Sequence, residues 1–314
     1  MIEIYPGWAN VTLSVIALYV FLGLATVIVA IIHMKRANSG STELMLRVRS
    51  WWVILILFSI ALLGNRMAAL GFLAFVSFLA LKEYFSMIPT RRADRRVLLW
   101  AYSSIPVQFF FIYIEWYGMF IIFVPIYIFL ALPLKMIMIG ETRRFLLSMS
   151  SIHWGLMMTV YSMGHVAYFL VYPDEVNPAA GGAGFVLFLV ALTQLNDVAQ
   201  FCWGKALKGP KIAPKVSPNK TVAGFVGGVV TTTGLAVLVG PYLTPFSTFH
   251  MFMAGLLLSI CGFIGDLTIS AVKRDLGVKD TGSILPGHGG ILDRLDSLSY
   301  TAPLFFHFTR YILS

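Results

Sequence analysis

Apolar residues run without a single charge from Trp8 to Ile32, and stretches of similar character recur to the end of the 314-residue chain. An α-helix rises about 1.5 Å per residue, so about 20 such residues cross a hydrocarbon core of roughly 30 Å. No water in that core satisfies a free amide or carbonyl, and a helix pairs its backbone within one segment. Strands of a membrane barrel would alternate apolar and polar residues, which these stretches do not. The chain therefore reads as all-α, a polytopic integral membrane protein with about ten transmembrane helices. Composition agrees, with 58% hydrophobic residues against 12% charged. The first run is too long for the apolar part of a cleavable signal and has no positive segment before it, so it reads as a first span. Cys202 and Cys261 lie in apolar stretches without a CxxC or Cys/His pairing nearby, which supports neither a disulfide framework nor a zinc site.

Positive charge sets the orientation. Five connections, at 35–49, 91–96, 135–144, 205–220 and 273–294, hold twenty of the 23 Lys and Arg residues, and the connections between them are poor in positive charge. The basic connections are expected in the cytoplasm and both termini outside. In the segment 51–86 Asn65 and Arg66 interrupt two short apolar runs, which leaves open whether it crosses fully or forms a short hairpin that does not. The net charge of +9 is accounted for by loop topology and anionic lipid headgroups, and calls for no nucleic acid.

Polar character is lopsided. Six of the fourteen acids, Asp197, Asp266, Asp275, Asp280, Asp293 and Asp296, lie in or beside the last two basic connections. This divides one integral domain into a scaffold half, 1–183, and a chemical half, 184–314.

Three stretches carry the chemistry. In "TQLNDVAQFCWGK", from Thr193, the residues Thr193, Asp197 and Gln200 share one helical face. An aspartate there reads as a site facing a cavity or as a structural acid paired with a cation. In "KGPKIAPKVSPNKTVAGFVGG", from Lys208, prolines and glycines exclude a regular helix at the start, and Ser217 or Thr221 is placed to cap the helix that follows. With Lys220 beside it, that helix start suits a phosphate; a basic topology-setting loop would look similar. In "GDLTISAVKRDLGVKDTGSILPGHGGILDRLDS", from Gly265, Asp266, Ser270 and Lys273 share a face. Pro286 and the glycines at 287, 289 and 290 then make a loop whose backbone can approach a ligand closely, and Asp293 and Asp296 open the final helix. Carboxylates clustered beside cations suit Mg²⁺ holding a polyphosphate; a network of solvated salt bridges is the plain alternative. The five histidines outside this stretch read as packed or interfacial side chains.

The stretch "SAVKRDLGVKDTGSILPGHGGILDRLD" resembles the full signature of the phosphatidate cytidylyltransferases, and "APKVSPNKT" followed by "GFVGG" resembles a second element of that family. The resemblance covers about 184–300 with specificity. It departs from the family after Asp197, where this chain reads Val198, Ala199, Gln200, Phe201, and at Ala223, which suggests a paralogue with a different acceptor pocket.

The resemblance implies transfer of a cytidylyl group from CTP to phosphatidic acid or a related lipid phosphate, giving CDP-diacylglycerol and pyrophosphate at the cytoplasmic face of a bacterial inner membrane. It places metal ligation on Asp266 and Asp293, with Mg²⁺ and room for a second cation, and adds Lys273, Arg274 and Asp296 to the catalytic group. Substrate contacts fall to Asp197, Lys205, Ser217, Lys220, Thr221, Lys279, Asp280, His288, Gly289, Gly290 and Arg294. Partners are then CTP, the lipid phosphate and membrane lipids, with a homodimer left open. A CDP-alcohol phosphatidyltransferase is excluded, because its D-x-x-D-G-x-x-A-R motif fails after Asp296, where Ser297, Leu298 and Ser299 follow. A lipid transporter or scramblase would account for an intramembrane aspartate without chemistry.

Overall fold

The computed structural model describes residues 8–35, 39–89, 95–140, 142–282, 284 and 289–313. Helices dominate, as expected. In chain order they are α1 (Trp8–Lys35), α2 (Ser39–Leu63), α3 (Arg66–Met87), α4 (Arg95–Tyr113), α5 (Tyr117–Ile122), α6 (Phe129–Ile139), α7 (Phe145–Leu156), α8 (Ser162–Phe169), α9 (Gly181–Leu207), α10 (Val222–Leu243), α11 (Thr248–Asp275), the single turn α12 (Leu292–Leu295) and α13 (Leu298–Leu313). Wider π turns at Phe123–Ile128 and Met157–Tyr161 join α5 to α6 and α7 to α8 into continuous rods. The first holds Pro125, which has no amide to donate and so favours a local change of helical period.

Among the described residues, seven helices are long and apolar enough to cross a membrane: Ala9–Lys35, Gly40–Leu63, Arg66–Met87, Tyr117–Ile139, Gly181–Leu207, Val222–Leu243 and Thr248–Asp275. About ten spans are expected from the sequence; α4, which carries Arg95, Arg96 and Pro106, the α7–α8 rod and the 16-residue α13 stand outside these seven. In the segment 51–86 both helices are long enough to cross, since α2 begins twelve residues earlier than its apolar run and is 25 residues long, and α3 has 22. The first turns of α2 hold Glu43 and Arg47, joined at 2.5 Å, so the helix continues through polar sequence that hydropathy alone reads as a loop. Outward faces are oily: Leu13, Val20, Leu24, Val27 and Ile28 on α1 and Val230 and Leu238 on α10 are all more than half exposed, as lipid-facing residues should be.

Lipid is as apolar as leucine, so the bundle coheres by close packing and internal hydrogen bonds. Phe120, Phe169, Phe185, Phe188, Phe305 and Phe306 are fully buried and tie α5, α8, α9 and α13 together. Near the site, α9 and α10 approach through glycines. A Cβ on Gly224 would lie 2.6 Å from the Gln200 carbonyl oxygen, and one on Gly228 would lie 2.4 Å from the Gln200 side chain. Between these helices the chain makes a small antiparallel hairpin, β1 (Lys211–Ala213) and β2 (Ser217–Thr221), pairing Lys211 with Thr221 and Ala213 with Ser217. Thr221 caps α10, its hydroxyl accepting from the Gly224 amide at 3.1 Å. Ser217 lies at the far end of β2 and takes no part in the cap.

Candidate active site

Two polar clusters meet at the ends of α9, α10 and α11. In the first, Lys220 stands at the centre: its Nζ pairs with Asp266 Oδ2 at 2.5 Å, donates to Gln200 Oε1 at 2.9 Å and lies 5.6 Å from the centre of the Phe263 ring. Asp266 Oδ1 accepts from Ser270 at 3.2 Å, as the shared helical face predicts. Asp197 Oδ2 accepts from the Ser297 hydroxyl at 3.0 Å, whereas its buried Oδ1 has no partner within the protein. Asp296 completes the group. Burial, then the charges of Asp266 and Asp197, push its carboxyl well above the usual range, and the nearby Arg294 and the Ser297 amide offset only part of this. Burial alone would make Lys220 easier to deprotonate, but Asp266 and Asp197 reverse that and hold it charged.

The second cluster is built around Asp293, which is 5% exposed. Its Oδ1 pairs with Lys273 Nζ at 2.8 Å, and its Oδ2 accepts from the Thr281 amide, the Thr281 hydroxyl and the Gly290 amide, each at 2.9 Å. Burial tends to raise its pKa; the Lys273 bond and the two amides outweigh that and hold it below the ordinary carboxylate range. Gly289 has a φ of +79°, in the left-handed region, and a Cβ there would also meet Asp293 Oδ2 at 2.6 Å. Asp293 thus ties Thr281 to Gly290.

The expected residues divide accordingly. Asp197, Lys220, Asp266, Arg294 and Asp296 converge in the first cluster, and Lys273, Gly289, Gly290 and Asp293 in the second. Thr221 serves as a helix cap. Arg274 donates to the Val216 carbonyl at 3.1 Å and pins the hairpin to α11. Lys205 is exposed, 5.7 Å from the Phe201 ring centre, and Lys279 and Asp280 are exposed on the loop. His288 and Gly287 lie outside the described residues. Asp293 and Asp296 do not open the final helix: Asp293 belongs to the single turn α12, and α13 begins at Leu298. Lys273 shares a face with Asp266 but bonds Asp293 instead.

Two participants escaped the sequence reading. One is the Ser297 hydroxyl. The other is Glu83, buried on α3, whose Oε2 accepts from the Leu292 amide at 2.8 Å and lies 3.3 Å from the Thr281 hydroxyl. The available signal was an acid standing inside an apolar run, the same signal that singled out Asp197.

Among the described residues, no three His, Cys, Asp or Glu side chains form a ready cage for a metal ion. The donor chemistry nevertheless fits Mg²⁺, which commonly binds through one or two carboxylates and takes its other oxygens from water and substrate phosphates. The unpartnered Asp197 Oδ1 and the crowding of Asp197, Asp266 and Asp296 are what a hard cation would relieve.

The fold is that of an all-α polytopic membrane protein, with carboxylates and lysines gathered at one end of the bundle. The chain belongs to the cytidylyltransferase family, whose profile matches residues 45–312 and so runs through both halves. It is 44% identical over 298 residues to the uncharacterized protein YnbB of Escherichia coli (strain K12), covering 95% of this chain and 98% of that one. It is 44% identical over 123 residues to a phosphatidate cytidylyltransferase of Brucella suis, covering 39% of this chain and 46% of that one. With a phosphatidate cytidylyltransferase of Staphylococcus epidermidis it shares 37% identity over 148 residues, covering 46% and 55% respectively. The matches to these two enzymes span about half of their length. Membership implies a nucleotidyltransferase that uses a CTP-type nucleotide and a lipid phosphate.

Proposed function

We propose that the protein transfers a cytidylyl group from CTP to phosphatidic acid, forming CDP-diacylglycerol and pyrophosphate at the cytoplasmic face of a bacterial inner membrane. The supporting observation is the convergence of Asp197 on α9, Lys220 on β2, Asp266 on α11 and Asp296 between α12 and α13 on one charged cluster. A lipid phosphate monoester has a second pKa of about 6, so it is already a dianion near neutral pH and needs no general base. Its oxygen attacks the α-phosphorus of CTP while the bond from that phosphorus to the β-bridging oxygen breaks. The obstacle is repulsion between two anions, so positioning and charge neutralisation carry the reaction.

Lys220, Lys273 and Arg294 are the cations at the clusters, and Gly289 and Gly290 bring backbone close to the phosphates. Asp266, with Asp293 as the signature implies, would hold Mg²⁺; Asp293 would reach it with the oxygen that now pairs with Lys273, since its other oxygen carries three hydrogen bonds. Asp197 and Asp296 flank Asp266 and would serve a second cation. When bound, Mg²⁺ supplies charge neutralisation for the triphosphate and the departing pyrophosphate. A second reading, a different lipid phosphate as acceptor, is favoured by Gln200, which stands after Asp197 where the resemblance fails and takes a Lys220 hydrogen.

Pyrophosphate release by the purified protein, with CTP and a panel of lipid phosphates, decides between these readings. Phosphatidic acid is expected to be the best acceptor, and activity is expected in inside-out but not right-side-out vesicles. Release from none of the lipids would leave transport without chemistry as the better account. A second test asks whether the hairpin belongs to the site. Lys220→Ala removes a charge-assisted contact of about 1.5 to 3 kcal/mol, so kcat/KM for CTP should fall about tenfold or more. Lys208→Ala, equal in loop charge but exposed, should change little; equal small losses would reduce the hairpin to a topological signal.

A further inference from the structure

We infer that Glu83, on α3 in the N-terminal half, is a positioning residue that clamps together two short segments, Thr281–Gly282 and Gly289–Leu292. These two segments meet on two carboxylates. From within, Asp293 gathers the Thr281 and Gly290 amides; from outside, Glu83 Oε2 accepts from the Leu292 amide at 2.8 Å, at the start of α12. The Thr281 hydroxyl lies between them, 2.9 Å from Asp293 and 3.3 Å from Glu83, and its one proton goes to the nearer oxygen. The Leu292 amide is therefore the principal hold of Glu83.

Two loop glycines make room for this side chain. A Cβ on Gly290 would meet Glu83 Oε2 at 2.4 Å, and one on Gly282 would meet Oε1 at 2.8 Å. Glu83 is itself held firmly. The neighbouring Tyr84 donates to the Ser151 carbonyl at 2.9 Å and covers Gly155, so α3 is seated on the α7–α8 rod before it reaches the loop. The scaffold half thus supplies a contact without which Leu292, next to Asp293, loses its anchor.

The activity readout rests on the cytidylyl-transfer reading; amide exchange of the loop does not, so the two can fail separately. A lost hydrogen bond to a charged group corresponds to a change of about tenfold to hundredfold. Exchange at the 290–292 amides in Glu83→Ala should accelerate by about that factor, with kcat/KM for CTP falling by a similar one. Glu83→Gln, which keeps an acceptor oxygen, should return both to within about fivefold of the parent. Parental exchange and kcat/KM in Glu83→Ala would overturn the inference. So would a Gln variant as impaired as Ala, or acceleration spread equally to the α10 amides, which would make Glu83 a general stabiliser of the fold. Loop exchange that responds as expected in a protein that never releases pyrophosphate would sink the proposed reaction and leave the clamp standing.

Discussion

Asp266→Asn is expected to lower turnover by at least about three orders of magnitude, roughly 4 kcal/mol of lost transition-state stabilisation, without lowering the yield of folded protein. Asp266 is the hub of the first cluster: it pairs with Lys220, accepts from Ser270 and faces Asp197 and Asp296. Removing its charge strips the cation site and frees Lys220, which explains the loss of activity. The same change relieves the crowding of three carboxylates but takes a partner from Lys220, which Asp197 and Asp296 still face, so heat resistance should stay close to that of the parent. Raising Mg²⁺ should restore no more than a trace. Near-parental turnover would remove Asp266 from the ligands; a sharp fall in folded yield would show that its role is structural.

Asp293→Asn should also abolish turnover, but through a different signature. An amide in this position keeps an acceptor for the Gly290 and Thr281 amides and turns a neutral NH₂ group toward Lys273, leaving that ammonium, 16% exposed, without its partner. Breaking such a pair costs about 3 kcal/mol, softened here by the water that reaches Lys273. Because the folded-state pKa of Asp293 is held below its ordinary value, its contribution is present above the unfolded value of about 4 and is lost as pH falls through the folded one. The parent should therefore unfold at a higher temperature than Asp293→Asn at pH 7, and the gap should be smaller at an acid pH below about 4. A gap that is the same at both pH values would mean that the Lys273 pair does not hold the loop.

The chain announces much of this in one dimension. Long apolar runs force helices in lipid, so the all-α class follows from composition and length. The C-terminal signature is equally legible, because Asp266, Ser270 and Lys273 sit on one short helix face and the glycines follow within a few residues. Local spacing even placed Asp197 and Gln200 on a common face. The extent of α2 was harder to read, since hydropathy sees the polar turns around Glu43 and Arg47 as a loop while backbone hydrogen bonding carries the helix through them.

Tertiary structure alone decided which charges meet. Lys273 shares a helix face with Asp266 yet bonds Asp293, and Lys220, forty-six residues before Asp266, takes that carboxylate instead. Such choices depend on how closely α9, α10 and α11 approach, which the glycines at 224 and 228 permit but do not by themselves announce. Glu83 is the extreme case, 209 residues from the amide it holds. Helical periodicity reports which side chains share a face of one helix; which faces then meet is settled by packing between helices that are distant in the chain.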